Sequence, residues 1–168
     1  KRAGVSRATF YQLYDDKLDC FLAAYRMASQ IVAAVMLEGL QGDDADGGED
    51  GSAPPTPIGQ LDRLLGAYLR TLAENPTLAR VFLVEVYAAG PAAVRQRRES
   101  LDQFVDVIAS VFTGAPGVLG DPEQQRFAAE VLAGAVSSLV TNLVGTGEAE
   151  RLPELHRPLI ELAARITS

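Results

Sequence analysis

The residues best suited to chemistry lie at the start of the chain. Ser6-Arg7-Ala8-Thr9-Phe10-Tyr11-Gln12 brings a guanidinium, hydroxyls, a phenol and a carboxamide into a short run. Such side chains donate hydrogen bonds to phosphate oxygens and to base edges. Ser6 is placed to N-cap a short helix over 7–14. Gly4 suits the left-handed residue that ends a preceding helix. Phe10 and Tyr14 stand four apart and share one face, leaving Arg7, Thr9, Tyr11 and Gln12 on the others. A glycine turn leading into a short capped helix with exposed donors is the pattern of a helix-turn-helix. The residues alone leave DNA reading and a plain helix-loop-helix both open.

Elsewhere the residue types of catalysis lack partners. His156, the single histidine, has no cysteine or second histidine to share a metal. It reads as a surface or packing residue. Ser137, Ser138 and Thr141 sit on an apolar helix without a nucleophile elbow or a neighbouring base, and the preceding turn is expected to satisfy them. Cys20 reads as a half-buried thiol. The glycines at 47, 48 and 51 stand in an acidic tract that repels phosphate. No enzymatic activity, metal or cofactor is therefore expected.

The chain of 168 residues is one domain's worth or slightly more and is long enough to bury a core without staples. Trp is absent and aromatics make up 7%, so that core must be mostly aliphatic. A single cysteine excludes an intrachain disulfide framework and suits a reducing, cytoplasmic setting. Two lysines against thirteen arginines, with abundant Ala and Gly, fit a GC-rich bacterial coding sequence. No apolar run reaches the length of a membrane span and no signal peptide opens the chain, so no membrane partner is expected. The net charge of −7 opposes nucleic-acid binding, but its distribution is uneven. Residues 1–26 balance at +2, whereas 42–57 balance at −5 and carry no base.

The elements that must position these residues are helices throughout. Asp16 is placed to cap a helix from Lys17 to Leu40, with Leu18, Phe21, Leu22, Tyr25, Ile31, Val32, Val35 and Met36 at helical spacing. Residues 42–57 read as a flexible, acidic Gly/Pro loop. A helix follows over 58–74. Asn75-Pro76 reads as a cap with proline at the first helical position of the next, over 76–89. Gly90-Pro91 opens a helix over 91–113, whose apolar face holds Val94, Leu101, Phe104, Val105, Ile108, Val111 and Phe112. Arg98 and Asp102 are spaced to pair on its outside. After a Gly/Pro loop at 114–120, Asp121-Pro122 opens a helix to Val144 that is apolar around more than half its circumference. Such a helix is buried on two sides. Residues 145–150 read as a turn and 153–167 as the last helix. The fold class is all-α.

Gly4-Val5-Ser6-Arg7-Ala8-Thr9-Phe10-Tyr11, followed by Asp16-Lys17, closely resembles the TetR-type transcriptional regulators. The match is specific over roughly the first 25 residues; beyond them only helix count and order are similar. The resemblance makes 1–17 the remainder of a helix-turn-helix head and 18–168 a ligand-binding and dimerisation domain. Lys1-Arg2-Ala3-Gly4 then reads as a helix end, so the chain is expected to begin in mid-domain. The family's first helix and most of its second have no counterpart.

Carried over residue by residue, the resemblance turns Arg7, Ala8, Thr9, Gln12 and Leu13 toward the major groove of a double-stranded DNA operator. It places Tyr11 and Lys17 on phosphates. Leu13 departs from the polar residue often found there and suits a thymine methyl. An effector pocket is implied among the helices from 17 to 144. Its candidates are Tyr25, Met36, Tyr68, Phe82, Glu85, Tyr87, Phe104 and Asn142, and the pocket is expected to be mainly apolar. Glu85 needs a partner, either a cationic ligand or an intramolecular base such as Arg80. The family also implies a homodimer built from the last two helices, which agrees with the two-sided apolar character of 121–144. Phe127, Val131, Gly134, Ala135, Ser138, Leu139, Leu159, Leu162 and Ile166 are its expected contacts. The function implied is a ligand-responsive repressor released from a palindromic operator. The alternative is a helical dimer that binds a small molecule or a protein and no longer reads DNA.

Overall fold

A computed structural model of the protein describes Gly4 and residues 6–41, 56–113 and 120–166. Among the described residues all regular structure is helical. Helix α1 spans Arg7–Leu13 and α2 spans Lys17–Gln41. Then come α3 (Pro57–Glu74), α4 (Pro76–Arg80), a π-helical segment (Val81–Glu85) and α5 (Val86–Ala88). Helices α6 (Pro91–Thr113) and α7 (Pro122–Thr146) are followed by a 3-10 helix (Ala149–Leu155) and α8 (His156–Ile166).

Local chemistry sets most of these boundaries. Ser6 Oγ accepts from Thr9 N at 3.0 Å, Asp16 Oδ1 from Asp19 N at 2.8 Å and Asp121 Oδ1 from Gln124 N at 2.9 Å. Each side chain satisfies a helix-start amide that has no partner within the helix. Thr56 does the same for α3, which therefore starts on Pro57 inside the expected loop. The rest of that acidic loop, 42–55, lies outside the described residues, as do 114–119 of the later one. Asn75 occupies the N-cap position with Pro76 at the start of α4, as expected, but its side chain does not cap the helix. Its Nδ2 turns back and donates to Thr71 O at 2.9 Å. Gly147, at φ +83°, closes α7 with its amide directed to Leu143 O and Val144 O, so the helix runs through the expected turn at 145–146. The 3-10 helix occupies the remainder of that turn and carries Pro153.

The segment expected as one α-helix over 76–89 widens into a π turn at Val81–Glu85. The i→i+5 repeat brings residues five apart onto one side. Arg80 Nε meets Glu85 Oε1 at 2.8 Å across this span, and Phe82, Leu83 and Val86 point into the core. Glu85 therefore has its intramolecular partner.

Helix α2 lies along α3, and α6 lies along α7. The 3-10 helix and α8 cover α3, and the π segment meets α7. Where α2 crosses α3, a Cβ on Gly39 would stand 3.3 Å from both Ala67 Cβ and Arg63 O, so the crossing is close. One buried cluster joins Tyr25, Val32, Leu69, Leu72, Phe82 and Leu152. A second joins Leu61, Val105, Ile108, Phe112, Ala129 and Ala133. The apolar stripes are narrower than their sequence periodicity suggested. Ile31 of α2 and Val94 of α6 face outward, and α7 buries Gln125, Ala129, Ala133, Val140 and Val144 rather than its larger side chains. Two helices, Lys17–Leu40 and Pro122–Thr146, are long and apolar enough to cross a membrane, against the expectation that no run reaches that length. Each also contributes one edge to the buried clusters.

This packing ranks substitutions. Leu72→Ala, at a fully buried site, is expected to lower stability by about 2–5 kcal/mol. Asp121→Ala removes a cap and costs about 1 kcal/mol, while Leu13→Ala on the surface stays within about 0.5 kcal/mol. Urea denaturation of the three variants checks the order.

Candidate functional site

Helix α1 contributes no buried residue. Phe10 and Tyr14 pack on each other, with ring centroids 5.5 Å apart, and Phe10 meets Tyr11 edge-on at 5.3 Å. Arg7, Ala8, Thr9, Tyr11, Gln12, Leu13 and Lys17 are all exposed, Leu13 to 68%. Arg7 and Tyr11 share one side of the helix, with Ala8 and Gln12 beside them. The Thr9 hydroxyl is engaged by Ser6 Oγ at 2.9 Å. Gly4 takes φ +66°, the left-handed conformation its place before the helix requires.

The effector candidates separate into three places. Met36, Tyr68 and Phe104 line one cavity of about 40 Å³ between α2, α3, α6, α7 and α8. Tyr25 and Phe82 stand behind it. Tyr25 stacks on Phe82 at 5.2 Å, and Phe82 meets Phe104 at 6.1 Å. The other three candidates are corrected. Glu85 pairs with Arg80 at the surface. Tyr87 is 56% exposed, and it lines an outer groove with Asn142, Gly134, Ser138 and Thr141. These side chains fall on the solvent side because the π turn, α5 and α7 each present one face inward only.

The cavity holds a charge that its apolar surroundings did not announce. Arg97 is 5% exposed and reaches the cavity from α6. Its Nη2 donates to Ser137 Oγ at 2.6 Å, and its guanidinium lies 5.2 Å from the centre of the Phe82 ring. Its Nε makes no hydrogen bond. Among the described residues no carboxylate lies within ion-pair distance of it. Ser137 thus accepts from Arg97 instead of being satisfied by its own helix. Arg97 escapes sequence reading because Arg95 and Arg98 make it look like part of a solvated basic run. The available signal was register: Arg97 stands four before Leu101 and seven before Phe104, on the apolar stripe.

Further hydroxyls gather at the Tyr25 phenol, which Arg97 also influences. Ser29 Oγ and Ser100 Oγ lie 3.1 Å apart, and Ser29 also donates to Tyr25 O at 3.0 Å. Burial raises the Tyr25 phenol above its usual range, while Ser100, Arg97 and Ser29 pull it partly back. None of them completes a well-formed hydrogen bond to its oxygen. Burial pushes Tyr68 up to about 12, against a smaller opposing pull from Arg97.

The expected dimer contacts form a surface with one exception. Phe127 is 66% exposed, and Val131, Gly134, Ser138 and Leu139 follow it along the outer side of α7, with Ala135 half-buried. Leu162 and Ile166 of α8 are exposed alongside, and Ile166 shares a shallow groove with Phe127 and Val131. A Cβ on Gly134 would meet nothing within 4 Å. Leu159 is the correction. It is 4% exposed, faces the first cluster and lines the cavity: it shares a side of α8 with Leu162 and Ile166 but stands in the first turns, which pack on α3, whereas the two later residues are exposed.

His156 proves to be a packing residue. Its Nε2 lies 2.9 Å from Asp62 O and 3.2 Å from Asp62 Oδ1, against Gly66. Cys20 is half-buried, and no group of candidate metal ligands occurs among the described residues. Compared with protein-family models, with curated proteins and with solved structures, the chain gives no match.

The buried phenol makes stability pH-dependent in the alkaline range. Tyr68 holds its proton in the folded state up to about 12 but loses it near 10 when unfolded. Its contribution is therefore present below 10 and is lost as pH rises toward 12. Two pKa units correspond to about 3 kcal/mol. Urea denaturation across this interval should show Tyr68→Phe losing less stability than the parent by that order.

Proposed function

We propose that this protein is a DNA-binding transcriptional regulator of the TetR type, with a helical body that dimerises and holds a small effector. One observation carries the reading. A left-handed Gly4 precedes a Ser6-capped helix that offers Arg7, Tyr11 and Gln12 to solvent, and Lys17 opens the helix after it. In this reading Arg7, Ala8, Thr9, Gln12 and Leu13 enter the major groove, while Tyr11 and Lys17 fix the register on phosphates. The cavity beneath α6 and α7 supports an effector site at a distance from α1. Repression follows if the effector prefers the body conformation in which the two heads no longer fit the operator.

A second reading, a helical dimer that does not read DNA, is favoured by the net charge of −7. Titration onto the duplex flanking the protein's own gene, at two salt concentrations and beside a scrambled duplex, separates the two. Under the regulator reading, Lys17→Ala and Tyr11→Phe weaken binding to all duplexes alike. Lys17→Ala also reduces the salt slope by about one. Under the second reading neither substitution changes anything.

The exposed stripe from Phe127 to Leu139, continued by Leu162 and Ile166, supports a two-fold interface between copies. Val131→Asp with Leu139→Asp is expected to convert a dimer into a monomer in sedimentation velocity. A parent protein that sediments as a monomer at micromolar concentration overturns this part of the reading.

A further inference from the structure

We propose that the cavity takes a small monocarboxylate with an apolar body, its carboxylate held by Arg97. This inference rests on reading the cavity as the effector site, and it replaces the expectation of an uncharged pocket. A guanidinium cannot shed its proton to relieve burial. A buried charge without a counter-ion is destabilising, and here it meets the Ser137 hydroxyl and the face of Phe82, with the Tyr25 phenol nearby. Nε is left without an acceptor inside the fold. An entering carboxylate meets the guanidinium fork with two parallel hydrogen bonds and supplies the missing charge.

The lining selects among anions. Among the described residues Arg97 is the only cationic one of the cavity wall, so one negative charge is balanced and a phosphate dianion is not. Tyr68 keeps its proton and offers a hydroxyl rather than a second charge. The remaining wall is aliphatic or aromatic, with Met36, Leu65, Phe104, Val136 and Leu159 facing the space where a tail would lie. An acid whose body is hydrocarbon fits both requirements. A neutral or cationic guest leaves Arg97 as it stands or worsens its burial.

The cavity of about 40 Å³ has room for roughly three water molecules. A guest of several carbons therefore enters only as the surrounding helices move apart.

Isothermal titration of the full protein with hexanoate, octanoate and benzoate, beside hexanamide and benzamide, tests the proposal without DNA. At least one acid is expected to bind about tenfold or more tighter than its amide. Arg97→Met should abolish that preference while leaving the unliganded protein at least as stable as the parent, because an apolar isostere removes a buried charge. Equal binding of acid and amide overturns the proposal, as does binding of no acid at millimolar concentration. Should Arg97→Met fail to fold, the acid-against-amide comparison on the parent protein decides alone. A DNA-release assay run in parallel keeps the two readings apart. Acid binding without DNA binding sinks the regulator and leaves the carboxylate site standing, whereas DNA binding without an acid preference does the reverse.

Discussion

A permanently charged guanidinium sits inside an aliphatic core, and four elements are arranged around it. Arg97 rises from α6, meets Ser137 of α7, and lies against Phe82 of the π segment. Phe82 in turn carries Tyr25 of α2 and leans on Phe104. The hydroxyls of Ser29 and Ser100 bond to each other beside this stack. Water cannot solvate the charge at this depth, so its neighbours must supply dipoles and a ring face. That requirement ties the packing of α2, α6, α7 and the π segment to one side chain.

The π segment has a structural role in that arrangement. It carries Phe82 to the guanidinium while Arg80 and Glu85 pair across its outer side. An exposed ion pair of this kind contributes at most about 1 kcal/mol. The burial of Phe82, Leu83 and Val86 holds the segment far more firmly. Helix α7 has a different division of labour. Its small residues Ala129 and Ala133 bring it close to α6, and its large ones, Phe127, Val131 and Leu139, are left outside.

Much of this architecture was legible in the sequence, for a local reason. Caps at Ser6, Asp16 and Asp121 are written within four residues, and the structure forms all three. Asn75 marks the boundary in the same way and α4 starts after it, but its carboxamide donates backward to Thr71 O instead of capping. Periodicity puts Leu159, Leu162 and Ile166 on one side of α8 but does not say how far along the helix its neighbours reach, and only Leu159 is covered. The π turn was invisible to a reading that assumes 3.6 residues per turn. Arg97 was hidden by its flanking arginines, since charge runs are ordinarily solvated. Tyr87 and Asn142 have the chemical type of pocket residues, but only tertiary packing decides which side such residues face.

Under the effector reading proposed above, the small cavity has a consequence for how recognition and response relate. Protein interiors are close-packed and yield in discrete rearrangements rather than by smooth swelling. A guest that fits the existing space leaves the helices where they are, and it binds without effect on anything distant. A bulkier guest must do work against the packing of α6 and α7, and that work is subtracted from its affinity. The displacement it forces is delivered to α7, where Ser137 touches the cavity wall and Ser138, the next residue, faces outward. In the proposed regulator, potency and efficacy are thereby opposed: among guests of one chemical class, the tightest binder is not the strongest switch.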